Sequence, residues 1–225
     1  MDLRRLEKDV SALEAAGIIK GGIVLYGSSF FGVWGRERAK EQLSELGTVV
    51  CNGFGGSLAA EQVYYYGRLV RAFEPSALVL RGGVNDINAG ITGEVAAALT
   101  ILLADMAHAD FPNIKIVALS VFGCPFVDGL ESHKREQVKI YNDALEKAAA
   151  TRDYLSVLDL TPFFTDASSG YRPLFSDGLH LTDDGYKQLA EGQEEIKSQL
   201  AELSAKVEKQ DIQITILKGN KKATK

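Results

Sequence analysis

Cysteine is scarce: two residues, Cys51 and Cys124, in a chain of 225. That is too few for a disulfide framework. Histidine is nearly as rare, with three residues. His108 and His133 fall in or near helical segments, and no spacing joins them to cysteines or carboxylates as a zinc set. Both are expected at the surface. No apolar run reaches the roughly 18 residues that a membrane-spanning helix needs. The opening stretch, MDLRRLEKDVSALEAAG, is charged and periodic and lacks the apolar core of a secretory signal. The expectation is a cytoplasmic protein, although a trimmed secreted form would read the same. A basic excess is also missing: 25 Lys and Arg stand against 30 Asp and Glu, a net charge of −5. Nucleic acid is therefore not the expected partner. What the chain does have is apolar mass, at 46%, enough to bury the core of one ordinary domain.

Short apolar runs alternate with amphipathic segments. Leu3, Leu6, Val10 and Leu13 share one face of a first helix, ended by Gly17. Strands are predicted at 23–26, 48–51, 77–80, 114–119 and 154–160, and helices at 36–46, 58–73, 94–107 and 133–150, with one more after Thr182. Buried runs alternating with helices imply a parallel sheet covered on both faces. In such sheets ligands bind outside the carboxyl ends of the strands. The polar and glycine-rich punctuation falls there.

Four stretches on that rim carry chemistry. Gly27-Ser28-Ser29 follows the first strand. It offers a serine hydroxyl at a strand-to-helix turn, or simply a helix cap. It is not the G-x-S-x-G elbow, because Phe31 takes the last glycine position. Gly53-Phe54-Gly55-Gly56 follows the second strand. Its glycines permit close backbone approach to a ligand, or a flexible turn, but the final glycine of a dinucleotide motif is missing. Gly83-Val84-Asn85-Asp86 follows the third, and Asn85 is either an amide donor for a developing oxyanion or a turn residue. Asp177-Gly178-Leu179-His180 sits within FSDGLHLT. It pairs an imidazole with a carboxylate that can fix its tautomer, or marks a helix start capped by Thr182.

Taken in order, these blocks resemble the SGNH (GDSL) hydrolase superfamily, from about residue 23 to about residue 190. The first block usually reads Gly-Asp-Ser there, and Ser28 stands here in place of the Asp. The resemblance implies a three-layer α/β/α sandwich, flavodoxin-like, with a five-stranded parallel sheet. It implies Ser29 as nucleophile, His180 as base and Asp177 as the acid that orients it. The oxyanion donors would be the N–H groups of Ser29 and Gly56 and the Asn85 side chain. No metal or organic cofactor is implied. The expected activity is a serine esterase on small acyl or acetyl esters. The alternatives are a lysophospholipase or thioesterase for longer chains, or a silent binding domain.

Three further residues draw plainer readings. Trp34 reads as core or pocket wall. Arg81 reads as a partner for a carboxylate or a polar substrate. Cys124 reads as a cleft residue with no base beside it.

Residues 1–22 are expected as a helix packed on the domain, 23–190 as the hydrolase domain and 191–225 as a helical extension with a basic tail. Leu189, Gln193, Ile196, Leu200, Leu203, Val207, Gln210, Ile214 and Leu217 step by fours and threes. That seam suits self-association into a homo-oligomer.

Overall fold

The structure, a computed structural model, describes residues 2–166, 170–192 and 198. Five parallel strands form the central sheet: β1 (Ile23–Gly27), β2 (Val49–Gly53), β3 (Ala77–Arg81), β4 (Lys115–Leu119) and β5 (Leu155–Leu158). Their order is β2-β1-β3-β4-β5. A short antiparallel pair, β6 (Thr165–Asp166) with β7 (Gly170–Tyr171), stands apart from it. Every residue of β2 and β3 is buried. Burial on both faces is why these strands read as continuous apolar runs rather than alternating ones.

Ten α-helices surround the sheet among the described residues. They are α1 (Glu7–Ala15), α2 (Ser29–Trp34), α3 (Arg36–Gln42), α4 (Ala59–Leu69), α5 (Val84–Asn88), α6 (Gly93–Asp110), α7 (Pro125–Asp128), α8 (Ser132–Ala149), α9 (Thr161–Phe164) and α10 (Asp183–Glu191). Helices α4, α6 and α8 pack side by side. Helices α2 and α3 pack on β2, and α10 packs on α3. The result is the expected three-layer α/β/α sandwich.

The chain moves from β1 out to β2, then crosses back to β3 on the other side of β1. The switch point of the sheet therefore lies at the carboxyl ends of β1 and β3, where a parallel sheet opens a crevice. Gly27, the last residue of β1, pairs with Gly53 of β2 and Arg81 of β3.

Helix α1 has two working faces. Leu6, just before it, and Val10 are buried in the core. Arg68 of α4 ties it down by ion pairs to Glu7 and Glu14. No helix among the described residues is long and apolar enough to cross a membrane. Of the proposed C-terminal seam only Leu189 is described, and it is buried in the domain at the end of α10. The other seam positions lie outside the described residues.

Two sequence expectations need correction. Arg81 meets neither a carboxylate nor the crevice. It is buried with its guanidinium carbon 4.8 Å from the Phe30 ring centre and 4.2 Å from that of Phe122. It donates to the Ser120 carbonyl at 3.1 Å. Burial lowers its guanidinium to about 10, since desolvation disfavours the charged form. His108 is not a free surface side chain either: it stacks on Tyr154 with ring centres 3.8 Å apart.

Candidate active site

Ser29 is the first residue of α2, directly beyond β1 and the buried Ser28. The amides of a helix's first turn have no partner within the helix, so the Ser29 N–H opens toward the rim. The hydroxyl has a partner from far along the chain: Ser29 Oγ lies 2.8 Å from His180 Nε2. On the other side of the ring, His180 Nδ1 lies 2.6 Å from Asp177 Oδ2. The three side chains form one continuous hydrogen-bonded line.

The 175–182 segment is built to hold that line. Phe175 and Leu181 bridge its ends, and the Ser176 N–H donates to the His180 carbonyl at 2.8 Å. Inside the turn, Asp177 Oδ1 accepts from the N–H groups of His180 at 2.7 Å and Leu179 at 3.0 Å. Gly178 sits at φ +83°, a left-handed conformation that side-chain-bearing residues avoid. Partial burial pushes the Asp177 carboxyl up. The bonds from the His180 ring and from the His180 and Leu179 amides outweigh it, and the group is held at about 2. Thr182 does cap the next helix, accepting from the Gly185 N–H at 3.0 Å. The capping and side-chain readings of this motif hold together.

Helix α10 then locks this segment to the serine. Tyr186 donates its hydroxyl proton to the Phe30 carbonyl at 2.7 Å, one residue past Ser29. Arg38 pairs with Asp183 at the start of α10 and lies over the Tyr186 ring.

The other two rim blocks meet in the loop that follows β2. Asn85 Nδ2 donates to the Ser57 carbonyl at 3.0 Å. A side-chain amide has two N–H groups, and the bond to Ser57 uses one of them. Gly56, beside Ser57, has its carbonyl held by Arg5 Nη2 at 2.6 Å. Arg5 also grips Glu61, whose side chain is fully buried, with Nε at 2.6 Å from Oε1. Glu61 in turn accepts from the Leu58 N–H at 2.8 Å. Asp86 takes the Ala59 N–H at 3.0 Å. Four consecutive residues, 56–59, are thus tethered one by one. Asp86 is buried away from the rim, and that burial pushes its carboxyl up to about 6.

Some readings of single residues change. Gly53 serves packing: a Cβ there would meet the Gly32 amide nitrogen at 2.2 Å. Cys124 is buried rather than in a cleft, and burial raises its thiol. Trp34 is core, its indole N–H donating to Gln42 at 2.8 Å. Arg5 and Tyr186 escaped the sequence reading. Arg5 sits among the charged residues that open the chain, and nothing local separates it from Arg4. Among the described residues no three His, Cys, Asp or Glu side chains cluster to hold a metal ion.

Residues 25–188 match the family model of the GDSL-like lipases and acylhydrolases. No curated protein matches the chain. Several solved structures share the fold. A protein assigned as an acylhydrolase from Bacteroides fragilis is 16% identical, with TM-score 0.70 over 89% of this chain and 99% of its own. A GDSL-like lipase from Bacteroides thetaiotaomicron is 16% identical, with TM-score 0.67 over 89% and 98%. A member of the lipolytic G-D-S-L family from Veillonella parvula is 16% identical, with TM-score 0.63 over 78% and 97%. These likenesses carry the fold, and the family match, which spans most of the chain, carries more: this chain belongs to the GDSL-like lipase/acylhydrolase family of hydrolases.

Proposed function

We propose that the protein is a serine esterase that works through a covalent acyl-enzyme. The observation that carries this reading is the unbroken line from Ser29 Oγ through the His180 ring to Asp177. In the first step Ser29 Oγ attacks the ester carbonyl and its proton passes to His180 Nε2. Asp177 stabilises the imidazolium through the Nδ1–H bond. The oxyanion takes hydrogen bonds from the Ser29 and Gly56 N–H groups and from the free N–H of Asn85. The carbon–alkoxy bond then breaks, and His180 returns its proton to the leaving alcohol. Water attacks the acyl-enzyme while His180 takes a proton from it. The serine–acyl bond breaks, Ser29 regains its proton and the carboxylic acid departs.

The direct test is a fluorophosphonate probe read by mass spectrometry, together with hydrolysis of p-nitrophenyl esters. The expected result is one covalent label on Ser29 and turnover. A folded protein with neither label nor turnover would instead favour a silent binding domain.

A second test addresses the oxyanion donors. Losing one such donor costs about 10²–10³ in turnover. Arg5 holds Gly56 by its carbonyl, not by the N–H that would donate, and shares its guanidinium with Glu61, so loosening that loop costs less. Arg5→Ala is expected to lower kcat about tenfold with KM within about twofold, and Arg5→Lys to recover part of the loss. A change confined to thermal stability would leave Arg5 a purely structural residue.

A further inference from the structure

We propose that the groove between α1 and the α2–α3 pair is the acyl site, and that it takes an unbranched apolar acyl chain of several carbons laid along α1. The proposal rests on Ser29 being the nucleophile.

Direction comes first. Ser29 borders an open groove of about 670 Å³. An ester bound at Ser29 has two arms. Its alkoxy oxygen must lie against His180 Nε2, which protonates it. The groove shares Ser29 with the triad but is lined by no residue of the 175–182 segment. It leads away from His180, which is where the acyl arm must go.

Chemistry comes second. Asp9, Ala12 and Leu13 of α1, and Ala16 just past its end, all line the groove. Their spacing of three, four and seven is one stripe of a helix, turned about 110° from the buried Val10, with Leu13 on the side nearest the core. Past the acidic Asp9 the stripe is apolar, and the stretch from Asp9 to Ala16 runs about 10 Å. Val33 faces it from α2, and Phe54 lies beneath. Among the described lining residues the one cation is Arg36, and it is already committed. It donates from Nε to Asn52 Oδ1 at 3.1 Å and from Nη1 to the Gly17 carbonyl at 2.9 Å. Asp9 and Glu37 add negative charge to the lining and disfavour a chain that ends in a carboxylate. Two exposed apolar residues, Ile18 and Ile19, follow α1 in the chain, 51% and 47% exposed. An acetyl group would leave nearly all of this surface empty. The wall itself comes from residues 9–16, ahead of the 25–188 family match.

The experiment uses the full chain and a p-nitrophenyl ester series from acetate to octanoate. Each methylene fully buried is worth about fourfold, and an open groove gives less, so kcat/KM is expected to rise about tenfold from acetate to hexanoate. Ala12→Trp and Ala16→Trp fill the groove from an exposed helix face. Each is expected to cut the hexanoate-to-acetate ratio at least about fivefold. Leu102→Trp, on the exposed face of α6, is expected to leave that ratio as it was. A flat or falling profile in an active enzyme overturns the acyl site alone, as does an unchanged ratio in both α1 variants. An α1 effect seen only when the alcohol of an acetate ester is lengthened hands the groove to the leaving group, and also overturns it. No turnover of any ester, with no label on Ser29, overturns the nucleophile reading and this one with it.

Discussion

Ser29→Ala is expected to reduce ester hydrolysis by about 10⁴–10⁶-fold while leaving the fold intact. The side chain sits on the first residue of α2, and its hydroxyl is hydrogen-bonded to His180. Nothing in the core depends on it. Kinetic constants and thermal melts on the same samples read both halves of the expectation. Ser28→Ala is the control. Ser28 is buried, and its carbonyl accepts from the Gly32 N–H at 3.0 Å, a backbone role that alanine keeps. Turnover that survives Ser29→Ala but vanishes in Ser28→Ala would move the nucleophile by one residue. Asp177→Asn is expected to cost about 10⁴-fold, because an amide at that position favours the wrong imidazole tautomer. The Asp177 carboxyl, held at about 2, lies below its unfolded value of about 3.9. Its stabilising effect is therefore complete above about pH 4 and is lost only as pH falls toward 2. Loss of activity in mildly acid solution cannot come from this group.

Gly53→Ala is expected to be the most damaging added methyl group among the described glycines. A Cβ there would meet the Gly32 nitrogen at 2.2 Å and the Phe31 carbonyl carbon and Cβ at 2.5 Å. Two of those atoms are backbone, so no rotamer change relieves the clash. The helix that must retreat is α2, which carries Ser29. Overpacking of this kind costs about 3 kcal/mol, or roughly 6–12 °C in Tm for a chain of this size. Turnover should fall as well, since a displaced α2 withdraws the Ser29 hydroxyl from His180. Wild-type melting with wild-type turnover would show that β2 and α2 have slack that their contacts do not suggest.

The parts visible in the sequence were those set by local pattern. Five apolar runs became β1–β5, because burial on both faces leaves no polar alternation to obscure them. Four rim motifs lie where a parallel sheet puts its crevice. The pieces missed were short or distant. Helices α5, α7 and α9 have four or five residues, too few to display a 3.6-residue period. Arg81 ends its strand as a rim residue would, yet its ring partners lie 51 residues before it and 41 after it, at Phe30 and Phe122. Asp86 stands in a rim motif but spends its carboxylate on the Ala59 amide, 27 positions earlier. The grip of Arg5 on Gly56 spans 51 positions. No window along the chain contains both ends of such a contact.

The distance in sequence between the two halves of the triad has a consequence for the protein's birth. Ser29 and His180 are 151 positions apart, and synthesis proceeds at about 5–20 residues per second. The serine turn is therefore polymerised roughly 8–30 s before its partner histidine. Through that interval the nascent chain carries a serine with nothing to activate it. On the proposed mechanism, hydrolysis is expected to begin only when nearly the whole domain has been made and β1 has found β3. On the same mechanism, a chain truncated anywhere before residue 180 is expected to be inert, and premature termination to release no partly active fragment.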